Sequence, residues 1–225
     1  MITLDNVSKY YPTRHGRHYV LKNVSTVLPE NTSIGVFGRN GTGKSTFLRL
    51  LGGIDFPNRG TIRTNARISW PMGLQGGYQG SLTGRENAQF VCRIYGSNFK
   101  EVRQKIEFIR DFSELGDYFD EPVSRYSNGM RSRLAFATSM AFEFDYYLLD
   151  ELTAVGDPAF KKKCEAALKE RRSRSNVIFV SHNAVEIKRL CDVGLFIEDG
   201  KLLIYENIDQ AIKRYQMQLN ESQVR

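Results

Sequence analysis

Ile34-Gly-Val-Phe37 runs directly into Gly38-Arg-Asn-Gly-Thr-Gly43-Lys44-Ser45, and Thr46-Phe-Leu-Arg-Leu-Leu51 follows before Gly52-Gly53. The first stretch reads as a short buried strand and the last as a helix that the glycine pair ends. Between them lies a complete GxxxxGK[ST] pattern. Glycines let successive backbone N–H groups curl around phosphate oxygens, and the helix that follows presents the positive end of its dipole to them. Gly38, Asn40, Gly41, Thr42, Gly43, Lys44, Ser45 and Thr46 are therefore candidate nucleotide contacts. Lys44 is expected to reach the β- and γ-phosphates, the Ser45 hydroxyl to ligate Mg²⁺, and Thr46 to complete the helix start.

Two further apolar runs end on residues with chemistry. Tyr146-Tyr-Leu-Leu149 leads into Asp150-Glu151, and Val177-Ile-Phe-Val180 leads into Ser181-His182. Open α/β sheets place their ligands at the carboxyl ends of their strands, so these ends should gather around one site. Asp150 is expected to hold Mg²⁺, mostly through water, and Glu151 to polarise the attacking water. The strand before His182 should lie beside Ile34–Phe37, which brings the imidazole within reach of a γ-phosphate. His15 and His18 are placed in an early loop and assigned no role. Leu195 to Glu198, Asp199-Gly200 and Lys201 to Tyr205 read as a hairpin with an Asp-Gly turn.

From Thr83 to Phe142 the pattern changes: Glu86 to Tyr95, Phe99 to Phe112 and Asn128 to Phe142 suit helices, with no strand among them. A helical subdomain over about 83–142, inserted into an α/β core lobe of about 1–80 and 143–225 with a mostly parallel sheet, accounts for this order. With 225 residues, 41% hydrophobic and 25% charged, the chain has the composition of one globular domain. No apolar run approaches the ~18 residues of a membrane span, and the opening MITLDNVSKYY lacks the basic start and apolar stretch of a signal peptide. The expectation is a cytosolic chain that could dock on a membrane protein. Three separated cysteines (Cys92, Cys164, Cys191) form no CxxC pair and read as small buried thiols. The net charge of +7, with Lys161-Lys-Lys163 followed by Lys169, Arg171, Arg172 and Arg174, reads as a solvated helix face or as attraction to anionic lipid headgroups or nucleic acid, the first being favoured.

These residues together resemble the nucleotide-binding domain of ABC transporters, over essentially the whole chain. Tyr126-Ser127-Asn128-Gly129-Met130 is similar to that family's LSGGQ signature, departing from it at Tyr126, Asn128 and Met130. The resemblance implies that Ser127 and Gly129 cap the γ-phosphate held by an opposite subunit. Ala154-Val-Gly-Asp157 is similar to the D-loop, whose aspartate links the two subunits. Tyr11 resembles the aromatic residue that stacks on adenine, with Tyr10 and Tyr19 as rivals. Gln75 and Gln79 both stand where the family carries a Mg²⁺-sensing glutamine; spacing favours Gln75 and the Tyr-Gln context favours Gln79, the choice made here.

The finer likeness is to capsular polysaccharide exporters of the ABC-2 type. It rests on Ile68-Ser-Trp-Pro71, Gly80-Ser-Leu-Thr-Gly-Arg-Glu-Asn87, Cys92-Arg-Ile-Tyr95, Met130-Arg-Ser-Arg-Leu134, Phe144-Asp-Tyr-Tyr147 and Thr153-Ala-Val-Gly-Asp157. The implied fold is a P-loop NTPase (RecA-like) core with an inserted helical subdomain, the ABC ATPase fold, in a single nucleotide-binding domain over 1–225. The implied cofactors are ATP and Mg²⁺. The implied partners are a second copy of the chain, giving a homodimer with two composite sites, and an integral membrane permease. The implied location is peripheral, on the cytoplasmic face of the inner membrane, with no nucleic acid. O-antigen exporters share much of this pattern, but many carry an extra carbohydrate-binding domain, whereas here only a short helix from Ile208 to about Leu219 follows the core. Export of O-antigen, teichoic acid or lipid is the alternative. A non-transport ABC ATPase is less well matched, since such proteins generally carry tandem domains or a long coiled coil.

Overall fold

The computed structural model describes residues 1–14, 16–72, 78–150 and 157–223, with side chains described as far as residue 218. In chain order the elements are β1 (Ile2–Thr13), β2 (Gly16–Leu28), β3 (Ile34–Phe37), α1 (Lys44–Leu51), β4 (Arg59–Thr64), α2 (Gly84–Ile94), α3 (Phe99–Ser113) and α4 (Asn128–Met140). They continue with β5 (Tyr146–Asp150), α5 (Pro158–Arg171), β6 (Asn176–Val180), α6 (Ala184–Leu190), β7 (Val193–Glu198), β8 (Lys201–Tyr205) and α7 (Ile208–Gln223). They fall into two compact units: Met1–Pro71 with Phe144–Glu151 and Arg174–Arg225, and Met72–Glu143 with Leu152–Ser173.

The first unit holds two sheets. One has the order β5-β6-β3-β7-β8, with β5, β6, β3 and β7 parallel and β8 antiparallel at its edge. Its central strands are buried on both faces, which is why they read as unbroken apolar runs. α1 covers one face: Phe47, Leu48, Leu50 and Leu51 join Ile34, Val36, Leu148 and Ile178 in one cluster. Each such side chain contributes roughly 1.5–3 kcal/mol of burial. α6 and α7 cover the other face, where Gly35 and Gly194 leave room for Ile187 and Ala211. The β7–β8 hairpin turns at Asp199 (φ 48°) and Gly200 (φ 76°), the left-handed pair an Asp-Gly turn predicts.

The second sheet, ordered β2-β1-β4 and antiparallel, is not legible in the sequence. Its long strands slip register between Leu4 and Val7, between Val7 and Lys9 and between Lys9 and Tyr10, with Asn6 and Asn23 at positive φ. Bulges break the alternation of apolar and polar residues that marks a strand. For the same reason the early loop expected at His18 is wrong: His18 lies in β2, paired with Tyr11 of β1. His15 lies outside the described residues.

The second unit is helical. Thr83 and Asn98 open α2 and α3 with capping boxes completed by Glu86 and Glu101. α2, α3 and α4 close on Ile109, Phe119, Leu134 and Ala137. This unit also takes in α5, which the sequence placed with the core lobe: Phe160 meets the Phe112 ring edge-on at 6.0 Å, and Arg133 lies 4.4 Å over Phe160. Among the described residues no helix is long and apolar enough to cross a membrane.

Candidate nucleotide-binding site

The loop Gly38–Gly43 has a conformation that only glycine accepts at three points. Gly38, Gly41 and Gly43 have φ of 149°, 82° and 101°. A Cβ on Gly38 would come within 2.6 Å of Thr42 Oγ1 and 2.7 Å of the Ile197 carbonyl, and one on Gly43 would overlap Val20 Cγ1. The loop is thus clamped between β7 and β2. Thr42 ties it internally, its N–H and hydroxyl both donating to the Arg39 carbonyl at 3.3 and 2.9 Å.

α1 opens at Gly43 with no side-chain cap and no acidic residue in its first turn. Most helix starts satisfy their first amides with a side-chain oxygen, as Thr83, Asn98 and Ser127 do here. An uncapped start with strained glycines before it is a site for an anion. The Lys44 ammonium donates to the Gly38 and Arg39 carbonyls at 2.8 and 3.0 Å, which holds its charge over the loop. Ser45 follows, half-buried, in the first turn. These residues fit a phosphate chain.

The parallel register aligns the other candidates with this loop. Val36 pairs with Val180, and Val180 with Asp150, so β3, β6 and β5 end side by side. Two residues beyond Val36 is Gly38; two beyond Val180 is His182. Asp150 therefore ends its strand one position over from the strand carrying His182. The His182 Nδ1 stands 2.8 Å from the Tyr215 hydroxyl of α7. Glu151 and Gln75 lie outside the described residues, as do Ala154, Val155 and Gly156.

The tyrosine alternatives separate by face. Tyr10 is paired with Tyr19 across β1 and β2, and their rings meet at 5.2 Å. Tyr11 points to the opposite face of the sheet. There its hydroxyl lies 3.4 Å from Thr46 Oγ1, donates to Asp55 Oδ2 at 3.2 Å and accepts from Arg49 at 3.3 Å. Only Tyr11 of the three faces α1. Lys9 supports this arrangement from within the sheet: buried, it pairs with Asp55 at 2.6 Å and lies 5.2 Å from the centre of the Tyr11 ring. Burial opposes the charge on Asp55, but the Lys9 ammonium, the Phe56 amide and the Tyr11 hydroxyl outweigh it and hold the carboxyl below its ordinary range. Neither Lys9 nor Asp55 is marked by any sequence motif.

In the helical unit, Ser127 caps α4 by accepting from the Met130 N–H at 3.2 Å, and Gly129 lies in the first turn. The departure at Tyr126 has a structural reason. Its ring is buried and its hydroxyl donates to the Tyr118 carbonyl at 2.6 Å, above Gly84, where any Cβ would collide with it. Asp157 accepts from the Ala159 and Phe160 amides at 2.9 and 3.1 Å and pairs with Arg133. The Phe160 amide first, and then Arg133, lower its carboxyl pKa. The Gln79 backbone is fixed by buried Asn87, which accepts from its N–H at 2.8 Å and donates to its carbonyl at 3.1 Å, while its side chain donates to Ser81 at 3.3 Å.

A family model described as ABC transporter matches residues 21–154, from within β2 to beyond the end of β5. The chain belongs to the ABC transporter family. Polysialic acid transport ATP-binding protein KpsT of Escherichia coli is 51% identical over 96% of this chain and 97% of its own length. Capsule polysaccharide export ATP-binding protein CtrD of Neisseria meningitidis serogroup B is 46% identical over 96% of this chain and 98% of its own. Among solved structures, the dimeric ATP-binding cassette MJ0796 bound to ADP and Pi superposes with a TM-score of 0.78, covering 92% of this chain and 99% of that one, at 23% identity. The ABC ATPase fold expected from the loop and the inserted helices is the fold observed.

Proposed function

We propose that this chain is the ATP-hydrolysing subunit that powers export of a capsular polysaccharide across the cytoplasmic membrane. The near-full-length identity of 51% and 46% to KpsT and CtrD, both named for capsule or polysialic acid transport, carries the substrate class. The loop geometry supports the chemistry.

Lys44 exchanges its two loop carbonyls for the β- and γ-phosphate oxygens, and the uncapped amides of α1 take the rest of the charge. Mg²⁺, when bound, supplies further charge neutralisation on the transferred group. Ser45 and Asp150 are the residues that would hold it. Tyr11 offers the adenine a ring already anchored by three hydroxyl contacts. Glu151 orients the attacking water and His182 donates to the γ-phosphate. Ser127 and Gly129 of a second copy cap that phosphate with helix-start amides, so each site needs two chains. ATP closes this pair, hydrolysis opens it, and an integral membrane permease receives the motion at the cytoplasmic face.

The test is a cell carrying Glu151→Gln. Polymer should be made and retained inside, read with an anti-glycan stain on permeabilised against intact cells. Normal surface polymer with none trapped inside overturns the export assignment.

A further inference from the structure

We infer that Tyr215 of α7 is the positioning residue for His182, holding the imidazole in the tautomer and orientation in which it can donate to the γ-phosphate; the role in turnover rests on the function proposed above. The observation is the 2.8 Å approach of the Tyr215 hydroxyl to His182 Nδ1. A ring nitrogen's protonation is set by the bond the other nitrogen makes. With the phenol donating, Nδ1 is the acceptor and the proton resides on Nε2. Phosphate oxygens can only accept, so Nε2–H is the form a γ-phosphate requires.

Tyr215 is itself held firmly. It is 4% exposed, and its ring lies 5.5 Å from that of Phe37, the residue immediately before Gly38. One side chain thus touches both the end of the loop strand and the histidine. The seat of α7 is fixed by close packing: Ala211 fills the space left by Gly194, and Ile208 stands 3.3 Å from where a Gly35 Cβ would be. Ile208, Ala211 and Tyr215 are spaced at three and four residues, so they lie along one helix face. Arg214 bonds Glu198 at 2.8 Å and Lys188 bonds Asp209 at 2.7 Å, tying α7 to β7 and to α6. A helix that follows the recognised motifs in the chain therefore supplies a contact to a residue of the site.

The experiment uses the full chain and three variants: Tyr215→Phe, His182→Ala and the pair together. Tyr215→Phe keeps the ring against Phe37 and removes only the hydroxyl. Its kcat should fall about 5-fold, the effect of one hydrogen bond, with KM for ATP within about twofold. In the His182→Ala background the same change should do nothing more. Separately, the ¹⁵N spectrum of the wild-type imidazoles, where only three histidines contribute, should show His182 protonated at Nε2, with its Nδ1 signal displaced in Tyr215→Phe. An unchanged Nδ1 signal, or a kcat loss of equal size with and without His182, overturns the inference. If His182→Ala turns over ATP like the wild type, the γ-phosphate role of His182 falls, and with it the role of Tyr215 in turnover. The Nδ1 signal then reports whether the bond itself exists, so the two failures are distinct.

Discussion

Replacing Gly43 by alanine tests why the loop holds its form. The backbone there is left-handed, φ 101°, which costs an L-residue about 1–2 kcal/mol. The new methyl would also overlap Val20 Cγ1 and sit 3.1 Å from its Cβ and Cγ2, an overpacking penalty of about 1–3 kcal/mol. Together Gly43→Ala should destabilise the chain by about 3 kcal/mol. Val20→Ala alone removes two buried methyl groups and should cost about 2 kcal/mol. In the double variant the alanine methyl takes the space the valine vacates. The steric part is then relieved and only the backbone part persists, so the two changes should couple by about 1–2 kcal/mol. Urea unfolding followed by the single tryptophan, Trp70, measures all three. A double variant whose loss equals the sum of the single losses within about 0.5 kcal/mol refutes the claim that β2 clamps the loop through this contact.

Lys44→Ala should weaken ATP binding by at least about tenfold, since charge-assisted hydrogen bonds to two phosphates are lost; calorimetry checks it. Tyr126→Phe removes a buried bond to the Tyr118 carbonyl and should cost about 1–2 kcal/mol in thermal unfolding. Burial pushes the Tyr126 hydroxyl up to about 12, so its neutral form contributes stability that is fully present below about pH 10 and is lost as pH rises through about 12. The phenylalanine variant should accordingly lose less stability over that alkaline window than the wild type. All three cysteines are buried, and burial lifts the Cys164 thiol to about 12, so a thiol reagent should label the folded chain slowly and all three sites at once in denaturant. In mixed dimers, the composite reading expects both changes, Lys44→Ala and Ser127→Arg, in one copy to disable both sites and one change in each copy to spare a site; a signature acting within its own chain would give the reverse order of steady-state ATPase rates.

The loop and the strands that lead to Asp150 and to His182 were legible because each is a local fact. GxxxxGK[ST] needs only its own glycines to bend, and strands buried on both faces read as unbroken apolar runs wherever they pack. The hairpin at Asp199-Gly200 was readable for the same reason: its two positive φ values belong to those two residues. Tertiary structure decided what depends on residues far apart in the chain. Tyr11 parts from Tyr10 and Tyr19 only once β1 and β2 pair, because alternation then puts it on the face of Thr46 and Asp55. The antiparallel sheet itself was hidden by bulges that erase the two-residue period. α5 joined the helical unit because Phe160 finds Phe112, more than forty residues away. Tyr215 lies in the short helix expected after Ile208, yet its bond to His182 exists only because Gly35 and Gly194 let α7 settle onto the sheet. Backbone preference is written residue by residue, whereas a contact between distant side chains is a property of the packed core that brings them together.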